Sequence, residues 1–160
     1  MGGAENVALN YDSKLLVGDN CTFGDGWIRT GRNRCIEIGN DCMFSWKTSL
    51  LAHDGHMIFN INSQECINNT VGECKKTIIL GNHVWVGGEV DILANTEIGS
   101  GSICGYRSLI KGKYPNNCII AGQMASVIKT DIAWSRGNIC LNNDLFENIP
   151  EEYRKKTDSI

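Results

Sequence analysis

The sequence has little proline, little histidine and no long apolar run. Among 160 residues, 2 are Pro and 3 are His. Apolar runs such as residues 78–80 fall far short of the roughly 20 residues that span a bilayer, so we expect no membrane span. Basic residues do not outnumber acidic ones, and the net charge of -3 argues against non-specific nucleic-acid binding. The first residues lack the apolar stretch of a secretion signal, which predicts a cytoplasmic protein.

The 8 cysteines contain no Cys-x-x-Cys pair. That spacing argues against a structural zinc site. A reducing compartment, in turn, argues against a disulfide framework. We therefore expect free thiols and no metal. The length predicts one domain.

Glycine is abundant, with 18 residues, and much of it follows an aliphatic residue at intervals of six. The recurring positions are Leu80, Val86, Ile92, Ile98, Cys104 and Ile110. The residues two places before them are all β-branched or small. Helices repeat every three or four residues and half-buried strands every two. A period of six instead predicts a solenoid in which each hexad is one strand and one turn, and in which Cys104 acts as a small buried hydrophobe.

Three hexads would close one triangular coil, and coils must stack because one coil cannot bury its own apolar face. The same register occurs earlier at Ile38, Phe44 and Leu50, and its next position is His56. It slips between residues 24 and 38. The prediction is an all-β parallel β-helix over about residues 15–130, with an excursion loop at 57–76 and a C-terminal cap at 131–160 that contains a short helix from Asn148 or Pro150. The loop is either functional or a tolerated insertion.

Three stretches resemble the hexapeptide-repeat acyltransferases, in particular the sugar and polysaccharide O-acetyltransferases. They are residues 38–59 with the segment Asp-Gly-His-Met-Ile, residues 79–110 with Val-Trp-Val-Gly, and residues 114–129. Together they cover about half of the chain. The resemblance implies a left-handed β-helix, acetyl-CoA as acyl donor, a sugar or polysaccharide hydroxyl as acceptor, and a homotrimer with active sites between subunits.

Acetyl transfer to a hydroxyl needs a base near neutral pH, and histidine has a suitable pKa. The resemblance makes His56 this general base, and a structural histidine at a coil end is the alternative. His53 is either a substrate contact or a surface residue. We expect His83 to be a surface turn residue. Asp54 either orients the imidazole or forms the turn.

Further roles follow from the resemblance alone. Trp85 would be catalytic, because an indole N–H can donate toward the thioester, and covering a coil face is its alternative role. Backbone N–H groups of Gly87 or Gly88 could stabilise an oxyanion. The positions implied for coenzyme A are Gly87, Gly88, Tyr106, Lys111 and Lys129. Ser126 departs from the family pattern, which has a basic residue there, so Lys113 could substitute.

An aromatic and basic set in the early coils suits either a sugar platform or edge-coil packing. Its members are Trp27, Arg29, Arg32, Trp46 and Lys47. Trp27 and Arg29, with His53, are the candidate substrate contacts.

Three other functions remain open. Within the family, the acceptor could be an amino sugar nitrogen or another small molecule. A metal enzyme such as a γ-class carbonic anhydrase needs three zinc-binding histidines, and the spacing of the three here does not match. A non-catalytic solenoid would not be stabilised by coenzyme A.

Overall fold

Short strands build a three-sided prism in the computed structural model, which describes residues 7–68, 75–137 and 146–159. Each side is one sheet, and sides A, B and C are named in the order in which the chain visits them. Side A contains β1 (Val7–Ala8), β4 (Gly26–Arg29), β7 (Thr48–Leu51), β10 (Asp91–Leu93) and β13 (Leu109–Ile110). Side B contains β2 (Lys14–Val17), β5 (Arg34–Ile38), β8 (Lys75–Leu80), β11 (Thr96–Ile98) and β14 (Lys113–Tyr114). Side C contains β3 (Thr22–Phe23), β6 (Met43–Phe44), β9 (Trp85–Val86), β12 (Ile103–Cys104), β15 (Ile119–Gly122) and β16 (Ala125–Lys129).

Successive coils pair in parallel on all three sides. On side A, for example, Ile28 pairs with Leu50, Leu50 with Ile92, and Ile92 with Ile110. Within the described chain, β15 with β16 is the antiparallel exception among the strands, and it ends the prism as a hairpin. Vertical stacking of equivalent residues therefore confirms the parallel solenoid that the six-residue period predicted.

The core consists of the columns that the repeat defined. All six recurring positions from residue 80 to residue 110 are at most 1% exposed, and the positions two places before them are at most 2% exposed. The buried polar members of these columns find partners along the stack: Thr96 Oγ1 donates to the Ile110 carbonyl at 3.3 Å and Ser102 Oγ to the Pro115 carbonyl at 3.0 Å. Such bonds satisfy hydroxyls that would otherwise be costly to bury.

Free thiols fill part of the same core. Cys42 is fully buried and its Sγ donates to the Gly81 carbonyl at 3.2 Å. Burial raises the pKa of the Cys42 thiol from 9.0 to about 12. A group whose pKa is raised in the folded state contributes stability that is complete below its unfolded pKa and is lost as the pH rises toward its folded pKa.

We therefore expect the free energy of unfolding to fall between pH 9 and about pH 12. Cys42→Ser keeps a donor for the Gly81 carbonyl but cannot ionise in this range. Between about pH 8 and about pH 11 the serine variant should lose roughly 2 kcal/mol less than the native chain. Urea unfolding at each pH measures the difference. Equal losses in both proteins would contradict this assignment.

The early coils differ from the prediction in two ways. The prism begins at β1 rather than near residue 15. The register slip before residue 38 has two sources. The connection from β3 to β4 has two residues where that from β6 to β7 has three, and the turn from β4 to β5, residues 30–33, has four where that from β10 to β11 has two. Ile28 and Ile36 on either side of that turn remain buried, so the coil is not loosened.

The excursion leaves the prism at the corner between sides A and B. After Ala52 the chain departs, and β8 takes the next place on side B by pairing with β5. The prediction that His56 occupies an inward position is therefore wrong, and its side chain is exposed. The described part of the excursion is an antiparallel hairpin, in which Phe59 bridges to Cys66 and the Ile67 N–H donates to the Ile58 carbonyl at 2.8 Å.

The C-terminal cap contains two 3₁₀ turns, Phe146–Asn148 and Glu151–Tyr153. Pro150 precedes the second turn, at one of the two predicted starting points, but the element is a single 3₁₀ turn rather than the predicted short helix. Residues 138–145 of the predicted cap lie outside the described residues. In the part of the chain that the structure describes, no helix is long and apolar enough to cross a membrane.

The cap corrects the prediction for His83. Its backbone has the left-handed turn conformation, with φ of 54°, but its side chain is only 3% exposed. The imidazole is stacked between the rings of Trp134 and Tyr153, at centroid distances of 3.9 and 4.3 Å. Its Nδ1 lies 2.5 Å from Asp41 Oδ2 and its Nε2 lies 2.9 Å from the Trp134 carbonyl. His83 is therefore a buried residue that joins its coil to the C-terminal cap through ring stacking and hydrogen bonds.

Candidate active site

His56 borders a cavity of about 280 Å³ at the corner between sides A and B. The cavity is formed by the turns of two successive coils and by the excursion hairpin. Its lining includes Arg32 from a coil turn, and His53, His56, Cys66 and Asn68 from the excursion. The cavity thus has the β-helix coils on one side and the excursion that carries His56 on the other.

His53 anchors the start of the excursion. The side chain packs over Gly31, where an added Cβ would lie 2.5 Å from the His53 Cβ. Its Nδ1 accepts a hydrogen bond from the Gly55 N–H at 2.8 Å. Its Nε2 is left to face the cavity or solvent.

Asp54 forms part of the turn, and within the described residues its carboxylate makes no hydrogen bond to the imidazole of His56. Its Oδ2 accepts a hydrogen bond from Asn68 Nδ2 at 3.1 Å, and Gly55 follows with a positive φ of 85°. Among the described residues, no group forms a hydrogen bond with the His56 ring. The turn interpretation of Asp54 is thus the one that the geometry favours.

Trp85 lies on the outer face of side C, between Met43 and Ile103 of the neighbouring coils. Its indole Nε1 is buried and has no hydrogen-bond partner in the described chain. The ring tilts against Trp134 at a centroid distance of 5.8 Å. An unpartnered buried N–H calls for an explanation, and a bound acceptor such as a thioester would supply one. Trp85 does not line the cavity of His56 within one subunit.

Gly87, Gly88 and Tyr106 lie together at the corner between sides C and A. A Cβ at Gly88 would meet the ring of Trp46 at 2.9 Å, and the Trp46 and Tyr106 rings are 6.2 Å apart. Both aromatic side chains are more than half exposed. Trp46 thus belongs with the predicted cofactor positions rather than with Trp27.

The remaining predicted positions are dispersed over one subunit. Lys111 follows β13 at the corner between sides A and B, whereas Lys129 ends β16 on side C. Lys113, the suggested substitute, forms an ion pair with Glu97 at 2.8 Å, and this hydrogen bond raises the pKa of Lys113. On side A, the Arg29 guanidinium lies 5.2 Å over the ring of Trp27.

A larger cavity lies elsewhere. It has a volume of about 1000 Å³ and lies between side B and residues 152–159 of the cap, and no histidine lines it. The three histidines do not converge: His53 and His56 lie at the corner between sides A and B, whereas His83 lies at the corner between sides B and C. Among the described residues, no group of three or more His, Cys, Asp or Glu could hold a metal ion. The smaller cavity beside His56 is therefore the candidate site, because histidine side chains line it and none lines the larger cavity.

Two comparisons show which known proteins this chain is similar to. A polysialic acid O-acetyltransferase of Escherichia coli O1:K1 / APEC is 39% identical over 131 residues, which are 82% of this chain and 41% of that protein. The crystal structure of the polysialic acid O-acetyltransferase OatWY superposes with a TM-score of 0.72 and 28% identity over 86% of this chain and 62% of that one. The chain is thus similar in sequence and in structure to proteins named as sugar O-acetyltransferases. Its fold is the left-handed parallel β-helix of hexapeptide-repeat acetyltransferases.

A third similarity is to a protein named for a different sugar. The crystal structure of a maltose O-acetyltransferase from Clostridium difficile 630 matches with a TM-score of 0.57 and 25% identity, over 81% of this chain and 67% of that one. No family model matches the sequence. The chain spans about two fifths of its E. coli relative and about three fifths of OatWY.

Sequence reasoning missed Asn68. An asparagine in a polar loop is ordinary, and no motif distinguishes it. Only the register of the excursion hairpin, which returns residue 68 to the turn before His56, brings it to the site.

Proposed function

We propose that this chain is an acetyl-CoA-dependent O-acetyltransferase that acetylates a hydroxyl of a sugar or polysaccharide. One observation carries the proposal: His56 presents an exposed imidazole at the edge of a cavity on a rigid β-helix corner. The similarity to enzymes named for polysialic acid and maltose supports a carbohydrate acceptor.

In the proposed reaction, His56 takes the proton from the acceptor hydroxyl as its oxygen attacks the thioester carbonyl carbon. The tetrahedral intermediate collapses as the C–S bond breaks. The protonated imidazole then returns its proton to the thiolate of coenzyme A, leaving an acetyl ester. Trp85 Nε1–H would donate to the thioester, and backbone N–H groups near Gly87 and Gly88 would stabilise the oxyanion.

The complete site would form between subunits of a homotrimer in the cytoplasm. Within one subunit, His56 lies at the corner between sides A and B, whereas Trp85 lies on side C and Gly88 at the corner beyond it. Lys111 and Lys129 are separated in the same way. A neighbouring copy that places its side C against the His56 corner would unite the base with the donor and the cofactor positions.

A screen of coenzyme A release tests the function. Purified protein would be given acetyl-CoA with free sugars, nucleotide sugars and oligosaccharides that include oligosialic acid. We expect release with at least one acceptor and an alkali-labile ester as product. An alkali-stable product would indicate an amide and the amino-sugar alternative. A protein that releases no coenzyme A with any acceptor and whose melting temperature coenzyme A leaves unchanged would be a non-catalytic solenoid.

The Trp85 role has a separate test. Trp85→Phe keeps a ring on side C but removes the N–H, which has no partner in the described chain. We expect turnover to fall roughly 100-fold with no loss of thermal stability. Trp134→Phe should lower thermal stability and leave turnover unchanged, because it removes the N–H that donates to the His83 carbonyl at 3.0 Å. Native turnover in Trp85→Phe would make Trp85 a packing residue.

A further inference from the structure

Hydrogen bonds hold the excursion hairpin together both at its tip and at the end near His56. At the tip, Asn60 Oδ1 accepts from the N–H groups of Asn62 and Ser63, which close the turn. At the end of the hairpin that joins the prism, the Ile67 N–H donates a hydrogen bond to the Ile58 carbonyl. The next residue, Asn68, lies beside the segment 54–58. The hairpin therefore returns one particular side chain to the turn that carries His56.

Asn68 binds that segment at three points. Its Nδ2 donates to the His56 carbonyl at 2.8 Å and to Asp54 Oδ2 at 3.1 Å. Its Oδ1 accepts from the Ile58 N–H at 2.9 Å. The thiol of Cys66 also lies within hydrogen-bond distance of Oδ1, at 3.4 Å. Both N–H groups and the carbonyl of the amide are thus used on residues that flank or include His56.

This bonding pattern needs an asparagine. Aspartate could accept from the Ile58 N–H, but it has no donor for the His56 carbonyl and would face the Asp54 carboxylate with a like charge. Alanine makes none of the three bonds. Since no described group bonds to the His56 ring, the backbone on both sides of His56 is what holds its position, and Asn68 holds that backbone.

We propose that Asn68 is the positioning residue for the His56 base. The role of the excursion is then to bring Asn68 next to the turn that carries His56. This inference rests on the proposed function. It assigns to the excursion a role in catalysis rather than that of a tolerated insertion. Because a displacement of about 1 Å can cost roughly 100-fold in rate, loss of the three bonds should affect turnover far more than binding of the cofactor.

The test is a double-mutant cycle on the full-length protein with acetyl-CoA and the acceptor found in the screen. Asn68→Ala should lower kcat roughly 10- to 100-fold while the KM for acetyl-CoA changes by less than about twofold. Asn68→Asp should be at least as impaired. Asn62→Ala is the matched control, because it removes an asparagine side chain from the same hairpin without touching segment 54–58, and it should keep native kcat.

The decisive arm adds Asn68→Ala to His56→Ala. If Asn68 acts through His56, the second substitution should cause no further loss of kcat. An equal further loss in both backgrounds, native kcat in Asn68→Ala, or an effect confined to KM would overturn the positioning role and leave the base assignment intact. Native kcat in His56→Ala would instead overturn the proposed base, and the Asn68 role with it. Thermal melting of each variant separates these outcomes from unfolding.

Discussion

His56→Ala is expected to lower kcat by roughly 100- to 10,000-fold, the range that a general base contributes. The imidazole is exposed at the cavity edge and makes no described hydrogen bond through its ring. Its removal therefore breaks no contact that stabilises the fold, and the melting temperature should be unchanged. A rate assay with acetyl-CoA, paired with a thermal melt, measures both quantities.

Ile61→Ala is the matched control for this variant, because it removes an exposed apolar side chain from the tip of the same excursion. It should keep native turnover. His53→Ala should give a smaller decrease than His56→Ala, since His53 supports the turn through the Gly55 N–H rather than taking the proton. A general base contributes at least about 100-fold to the rate. If His56→Ala lost less than about tenfold in kcat, another group would therefore be the base.

Leu80→Ala should destabilise the protein by roughly 2–5 kcal/mol. Leu80 is 1% exposed, and its strand pairs it with Ile38 below and Ile98 above in one inward column. Truncation leaves a cavity that stiff parallel coils cannot collapse to fill. Because each coil contacts mainly its neighbours, the weakness should extend to the coils on either side. Urea unfolding at fixed protein concentration measures the change in free energy of unfolding.

Ile79→Ala provides the control within the same strand. Ile79 points outward and is partly exposed, so its truncation should cost about 1 kcal/mol or less. Only a difference of position, and not of residue size, separates the two variants. Equal losses at both positions would contradict the assignment of inward and outward faces along β8.

The inward faces were predictable because they are encoded locally. Within six residues, strand alternation decides which side chains point inward, and the following turn residue decides where the chain bends. Ile98 and Cys104 needed no information from distant residues. The same logic failed after Leu50, because the excursion interrupts the count and moves His56 out of the column that the period assigned to it.

The candidate site was only partly predictable for the same reason. Resemblance identified His56, Trp85 and Gly88, but their separation over two corners and a side follows from the path of the coils. Asn68 meets the His56 carbonyl across twelve residues of hairpin, and pairing register, which six-residue counting does not address, decides that contact.

By itself, the sequence determined the solenoid: the period of six, the buried columns and the order of the motifs follow from short-range alternation and turn chemistry. Tertiary structure decided which side chains outside the period are exposed or covered. His56 is exposed because a hairpin carries it away from the prism. His83 is buried because Trp134, 51 residues along the chain, returns to stack on it and accept its hydrogen bond. Both outcomes depend on where distant segments fold back, and no local pattern encodes that.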